Sequence, residues 1–434
     1  MRKTKILLWV LLTPVCLLLA LVAYVMLVNA FDVKPPDASD LVVARLNLED
    51  ADNAYTHFLK AADHTYWPTN SSATEIREDQ ALLATVAQSN HAAFVLLKQG
   101  VEYDVYQTAM PTTTSVLVPH IQPFLALGRA LVLKCSYELN IGQFDAAIES
   151  ALVLTRFGWL MADGNSTLIE YLVGVSIYGM GLTRCEKLSQ DDRMTAAQLR
   201  RLGHELGQYA GRGQALRRAF FGEYQFTLVA TEELQTGNSC IEDFMNIKRH
   251  RVLSFIGRRV LHENRTAHLY SDFYRTMAKN SLLVYADMDL TDFTSLKSDR
   301  LSNIGLLLRP NPVGRILFVI TVPSMESTLS HVCYTEMHAS AVRVLVACHA
   351  YKRERGELPE TLDQLVPAYL DAVPRDPYDG KPMRYSKSKA IIYAVGVDLV
   401  DSNGSIKPTN PKFEGLTREW HMHGEDIVFE LYPK

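Results

Sequence analysis

The chain has 434 residues with a formal net charge of −4, and 48% of them are hydrophobic against 21% charged. That balance excludes a disordered polyelectrolyte and leaves enough apolar side chains for a sizeable core. It also gives no general electrostatic footprint for a polyanion, so nucleic acid is not an expected partner. At ~100–200 residues per domain, the length predicts a small number of structural units rather than one.

The first feature in chain order is a run without charge between Lys5 and Asp32, dominated by Leu and Val from Ile6 to Phe31. As a helix rising ~1.5 Å per residue it exceeds the ~30 Å of a bilayer interior. Residues 6–31 are therefore expected to meet the membrane as a single transmembrane helix. Arg2, Lys3 and Lys5 precede the run and Asp32 follows it, which predicts a cytoplasmic N-terminus and everything after residue 32 outside. In a bacterium this means an inner-membrane protein whose bulk is periplasmic. A cleaved signal peptide ending near Val28-Asn29-Ala30 is the competing reading, though the apolar run is longer than such regions usually are.

Residues 1–36 then form an anchor and a Pro-containing linker, and residues 37–322 read as an all-α domain, with apolar positions at three- and four-residue intervals. The clearest helical hairpin covers 130–157, with Gly142 permitting the turn; it resembles one tetratricopeptide unit without a second copy. Further helices are expected at 167–188, 196–207, 213–234 and 266–285. Residues 247–265 make a basic amphipathic pattern, read as a solvated helix face with contact to anionic lipid as the alternative. The run 316–323 is apolar but too short to span a bilayer, and is expected to be a buried join between domains.

Six cysteines are scattered without a Cys-x-x-Cys pair, which argues against a zinc knuckle or a thioredoxin-like redox pair. Cys333 and Cys348 fall on one predicted helix, ~22 Å apart, and cannot bridge each other. Cys135 with Cys185 is a possible disulfide, and buried free thiols are the preferred reading.

The last unit, 323–434, starts with an apolar stripe from Leu329 through Cys333, Met337, Ala341, Val344 and Cys348 to Tyr351, closed by basic residues and Gly356. The segment after Pro359 predicts a short helix packing Leu362 and Leu365 inward. Asp376, Pro377 and Gly380 supply a tight turn. Residues 383–385 and 390–395 suit a hairpin with a polar tip at 386–389, and 426–432 suits a third strand.

Gly356-Glu-Leu-Pro-Glu-Thr-Leu, then Val373-Pro-Arg-Asp-Pro-Tyr-Asp-Gly-Lys-Pro-Met-Arg-Tyr385, then Tyr393-Ala-Val-Gly-Val-Asp398, resemble the periplasmic end of the major pseudopilin of type II secretion systems. The likeness covers about the last quarter of the chain. It implies a long helix plus a short antiparallel sheet, with Asp376, Pro377 and Gly380 building the family's turn. It further implies a calcium ion on Asp398 and Asp426, for which Asp401, Asn403 or Ser405 would complete an oxygen shell. Pseudopilins fuse the membrane helix directly to this sheet, whereas here a helical domain intervenes, so the resemblance implies a fold and not a filament.

His421-Met-His423-Gly-Glu-Asp426 is the one other metal-binding candidate, because alternation in a strand would put both imidazoles on one side. No nucleophile elbow, phosphate loop or dinucleotide fingerprint is present. The expected fold class is mainly α: a transmembrane helix, an all-α helical-hairpin domain and a small α+β pseudopilin-like module. The expected function is a non-enzymatic interaction or structural role for a single-pass envelope protein with protein partners, linked to secretion or surface assembly. The alternative is a metal-dependent periplasmic hydrolase using His421, His423 and Asp426.

Overall fold

A computed structural model describes residues 2–69, 71–114, 119–209, 213–236, 259–291, 305–407 and 425–433. Over these the protein is mainly helical, with one three-stranded antiparallel sheet.

Helix α1, Arg2–Val28, covers the uncharged run apart from its last residues and contains Pro14. Among the described residues no helix is long and apolar enough to cross a membrane, and the side chains of 1–12 and 18 lie outside that description. Most of the described side chains of α1 are exposed, with Leu17 66% and Leu27 75% exposed, while Val25 and Val28 are half-buried.

The helical part begins with α2 (Ala54–Asp63), α3 (Ala73–Glu78), α4 (Gln80–Ser89) and α5 (His91–Gly100). They pack on the hairpin α6 (Ile121–Asn140) and α7 (Phe144–Asp163) through Phe58, Phe124 and Phe157, whose rings meet edge to face. Gly142 makes the hairpin turn with φ of 76°, as the sequence predicts. Helix α8 (Leu168–Ser189) follows, then α9 (Ala196–Gly207), each opened by a capping box: Thr167 with Glu170, and Thr195 with Gln198. α7 and α8 approach so closely that a Cβ on Gly158 would lie 2.1 Å from the Tyr178 amide nitrogen.

A second core forms where α10 (Gly213–Thr236) and α11 (Glu263–Asn280) pack Phe220, Tyr224, Tyr270, Phe273 and Tyr274 together. α11 ends five residues before the predicted stop, and a 3₁₀ turn at Tyr285–Asp287 follows. The short α12 (Gly305–Leu308) leads to α13 (Pro312–Thr321). The expectation of a buried join at 316–323 needs correction: Ile316 to Val319 are half-buried and Ile320 is 49% exposed. Of the basic pattern at 247–265, residues 247–258 lie outside the described residues; Arg259 is exposed, while Val260, Leu261 and His262 are buried.

Helix α14, Pro323–Arg355, runs 33 residues and stops at Gly356, whose φ of 83° breaks it. The predicted stripe from Leu329 to Cys348 is buried, but it is not the helix's only apolar face. Val342, Val346 and Ala350 pack against Leu199, Leu202 and Leu206 of α9. Leu329 and Val332 belong to the second core, and Met337, Ala341, Val344 and Leu345 cover the sheet. An apolar helix surrounded on several sides is what a continuous interior requires.

The sheet has the order β1 (Arg384–Ser386), β2 (Ile391–Val395), β3 (Asp426–Glu430), all antiparallel, with Tyr385 opposite Ile392 and Ile392 opposite Phe429. Ile392, Ala394, Ile427 and Phe429 face α14. Leu362 and Leu365 are buried as predicted, but in a 3₁₀ turn rather than a helix opened by Pro359.

Candidate functional site

The predicted turn forms: Gly380, at φ of 73°, returns its amide to the Asp376 carbonyl at 2.8 Å, and Tyr378 N donates to Asp376 Oδ1 at 2.9 Å. Its other side docks onto the segment after α11. Tyr285 N donates to the Pro377 carbonyl at 3.0 Å, Ala286 N to that of Tyr378 at 2.9 Å, and the Tyr285 and Tyr378 rings pack edge to face at 5.5 Å.

One cation organises the acidic residues around this turn, and it is part of the chain. Arg384 on β1 donates through Nη1 to Asp376 Oδ2 at 2.8 Å, through Nη2 to Asp379 Oδ2 at 2.6 Å, and through Nε to Asp401 Oδ2 at 2.9 Å. The guanidinium is largely buried, and its planar fork suits three carboxylates better than an ammonium would. Burial pushes the Asp376 carboxyl up to about 6, against the amides of Tyr378 and Val395 that hold it down. The same guanidinium, with the Lys381 amide, keeps Asp379 below its ordinary range despite partial burial.

Of the three aspartates assigned to calcium, Asp401 is thus paired with Arg384. Asp426 is engaged differently: its carboxylate accepts the amides of Gly404 at 2.7 Å and of Ser402 and Ser405 at 3.3 Å. Asn403 and Gly404, both at positive φ, turn successive N–H groups inward to make that anion cradle. Burial raises the Asp426 pKa while these amides lower it. Asp398 stays at the surface and accepts the Val400 amide at 3.1 Å. The loop therefore satisfies its charges with protein donors, and among the described residues no group of three or more His, Cys, Asp or Glu is placed to hold a metal ion. His421 and His423 lie outside the described residues.

Between the start of α10, the end of α11, α14 and the Asp376 turn lies an open cavity of about 470 Å³. Leu216, Leu282, Val332 and Cys333 make it mostly apolar, with Glu336 and Arg375 at its polar side. Burial drives the Cys333 thiol far above its ordinary range, so it is no nucleophile there. Cys135, Cys185 and Cys348 are also free and buried, with thiols pushed up to about 12, and no bridge joins Cys135 to Cys185.

A second polar constellation escaped the sequence. His120 Nε2 meets Glu170 Oε1 at 2.9 Å, and Tyr55 Oη lies 3.4 Å from His120 Nδ1. Glu170 Oε2 also accepts from Thr108 Oγ1 and from the Thr167 amide, each at 3.1 Å. The Tyr–His–carboxylate order resembles a catalytic relay, but His120 and Glu170 are sealed within the protein, where a substrate has no access. Its effect is to tie α2, the segment before α6 and the start of α8 together. Only the capping pattern Thr167-x-x-Glu170 signals it, since His120 stands 50 residues from its partner.

The chain matches no protein-family model, no curated protein and no solved structure. The pseudopilin resemblance therefore rests on the quoted residues alone.

Proposed function

We propose that this protein is a non-enzymatic scaffold of the bacterial envelope, anchored by α1 as a single-pass helix with its N-terminus in the cytoplasm. Its body would hold protein partners in secretion or surface assembly. The observation that carries the reading is α1 itself. Its described Leu side chains are exposed at Leu17, Leu19, Leu21 and Leu27, a concentration of apolar surface for which hydrocarbon is the suitable solvent.

The body suits a scaffold because the carboxylates around Arg384 and the Asp426 carboxylate are engaged by internal donors, and burial raises the Cys333 and Cys185 thiols above their ordinary range. The pseudopilin-like turn spends its outer face on Tyr285 and Ala286, so in this chain it joins the sheet to the helical domain. The test is in vivo crosslinking of the full chain, after alkaline extraction has shown that it stays with the membrane. Recovery of a defined set of envelope proteins is expected. A protein found only as itself after crosslinking would remove the scaffold reading, and release by alkali would remove the anchor.

A further inference from the structure

The end of α1 is bolted to the body, and the bolt brings a second apolar helix to the same place. Asn29, the first residue after α1, accepts the Asn311 amide at its Oδ1 at 2.7 Å. Asn311 in turn accepts the His262 amide at 2.9 Å and donates Nδ2 to Thr266 Oγ1 at 2.9 Å. Asp32 takes the first amides of α11, from Asn264 at 2.8 Å and Arg265 at 3.2 Å, while the Lys34 carbonyl meets His268 Nε2 at 3.0 Å. Pro312 opens α13 directly after Asn311, so α13 starts one hydrogen bond from the point where α1 ends.

α13 reads Pro-Val-Gly-Arg-Ile-Leu-Phe-Val-Ile-Thr, with its second half only half-buried and Ile320 49% exposed. Phe31, on the neighbouring linker, is 82% exposed. Apolar area left in water costs ~25 cal/mol per Å², and soluble surfaces seldom gather it in this way. Beside it is a cavity of about 300 Å³ that is lined by Val33 and Pro310 and carries Arg265, His268 and Arg315, with Asp272 in its wall and Asp32 within 3.9 Å of the Arg265 guanidinium. Apolar side chains on one helix with basic groups at their edge match the boundary between acyl chains and anionic headgroups.

We infer that α13 lies in the membrane interface of the leaflet from which α1 emerges. Phe31 and Ile320 enter the acyl region, and Arg265, His268 and Arg315 sit level with lipid phosphates. This rests on the anchor reading of α1. The body would then be held at two points and fixed in orientation, instead of swinging on a linker.

The experiment uses the full chain in vesicles of phosphatidylcholine with phosphatidylglycerol, in a Cys16→Ser, Cys240→Ser background. A thiol-reactive NBD dye is placed by Ile320→Cys, Phe31→Cys, Leu19→Cys or Ile141→Cys, and nitroxide lipids quench it from the headgroup or from the bilayer centre. Cys135, Cys185, Cys333 and Cys348 are buried, and the Cys16→Ser, Cys240→Ser protein carried through the same labelling sets the background from them. Dye at 320 and 31 is expected to be quenched from the headgroup, dye at 19 from the centre, and dye at 141 by neither. Dye in water at 320 with dye at 19 still in lipid overturns the inference and leaves the anchor standing. Dye in water at 19 overturns both. Emission at 320 is also expected to shift further to the blue with phosphatidylglycerol than without it; equal emission overturns the placing of the basic groups at phosphates.

Discussion

Arg384 carries the C-terminal module because three carboxylates depend on it, one of them fully buried. Removing one partner of a buried ionic group leaves the others without compensation and costs roughly 3–5 kcal/mol. Arg384→Met is therefore expected to lower stability by about that much in urea unfolding, whereas adding a calcium chelator to the unaltered protein leaves its melting temperature in place. A chelator-sensitive melting temperature would instead place an ion on Asp398, Asp401 and Asp426. A second residue gives the module an acid limit. Burial lowers the His349 pKa from 6.5 to about 4, helped by Arg353 and Lys352, while the Leu431 backbone and Asp192 oppose it. The Tyr432 ring also stands edge-on to the imidazole, at 5.4 Å. The folded pKa is depressed, so between pH 6.5 and 4 the unfolded chain takes up a proton that the folded chain refuses. Stability falls as pH falls through that window, by on the order of 3 kcal/mol from this group. His349→Leu is expected to flatten the pH dependence of unfolding there; an unchanged slope would show that the ring is protonated in place.

Among the helices, α7 and α8 show how glycine sets a distance. A Cβ on Gly174 would lie 2.5 Å from the Ala162 amide nitrogen, a backbone atom that cannot step aside, whereas one on Gly179 of the same helix would meet nothing within 4 Å. Overpacking of this kind costs about 1–3 kcal/mol or more, while relieving a helical glycine gains about 1 kcal/mol. Thermal melts of Gly174→Ala and Gly179→Ala should therefore move in opposite directions, down and up. These helices were legible in the sequence where local chemistry ends them: the prediction of 196–207 agrees in both bounds because Thr195 and Gln198 form a capping box and the apolar period is clean. Legibility failed where partners are remote. Nothing in the spacing of Asp376, Asp379 and Asp401 announces that one arginine on β1 will hold all three. The stripe on α14 was visible, but not its further faces, because a helix apolar on several sides has no single period to read.

For the whole molecule, the interior has no seam at the point where the sequence divides the helical domain from the C-terminal module. α14 contributes Leu329 to the core of α10 and α11, Val346 to the core around α9, and Leu345 to the core under the sheet. The Asp376 turn adds backbone hydrogen bonds from Tyr285 and Ala286, and Arg353 of α14 donates to the carbonyls of Met194 and Asp191 ahead of α9. Opening the sheet would bare one side of a helix whose other sides still have partners, so each face lost weakens the next. A body this large would ordinarily unfold in stages. Here the shared helix predicts that amides of β2, in the sheet, and amides of α7, in the helical hairpin, lose protection at one urea midpoint in hydrogen exchange. The proposed scaffold would need that coupling, because a partner at the sheet would be held in place relative to the proposed anchor only while α14 stays folded on both. If β2 opened at a distinctly lower urea concentration than α7, the tail would be a separate unit, and position at the membrane would not pass from anchor to sheet.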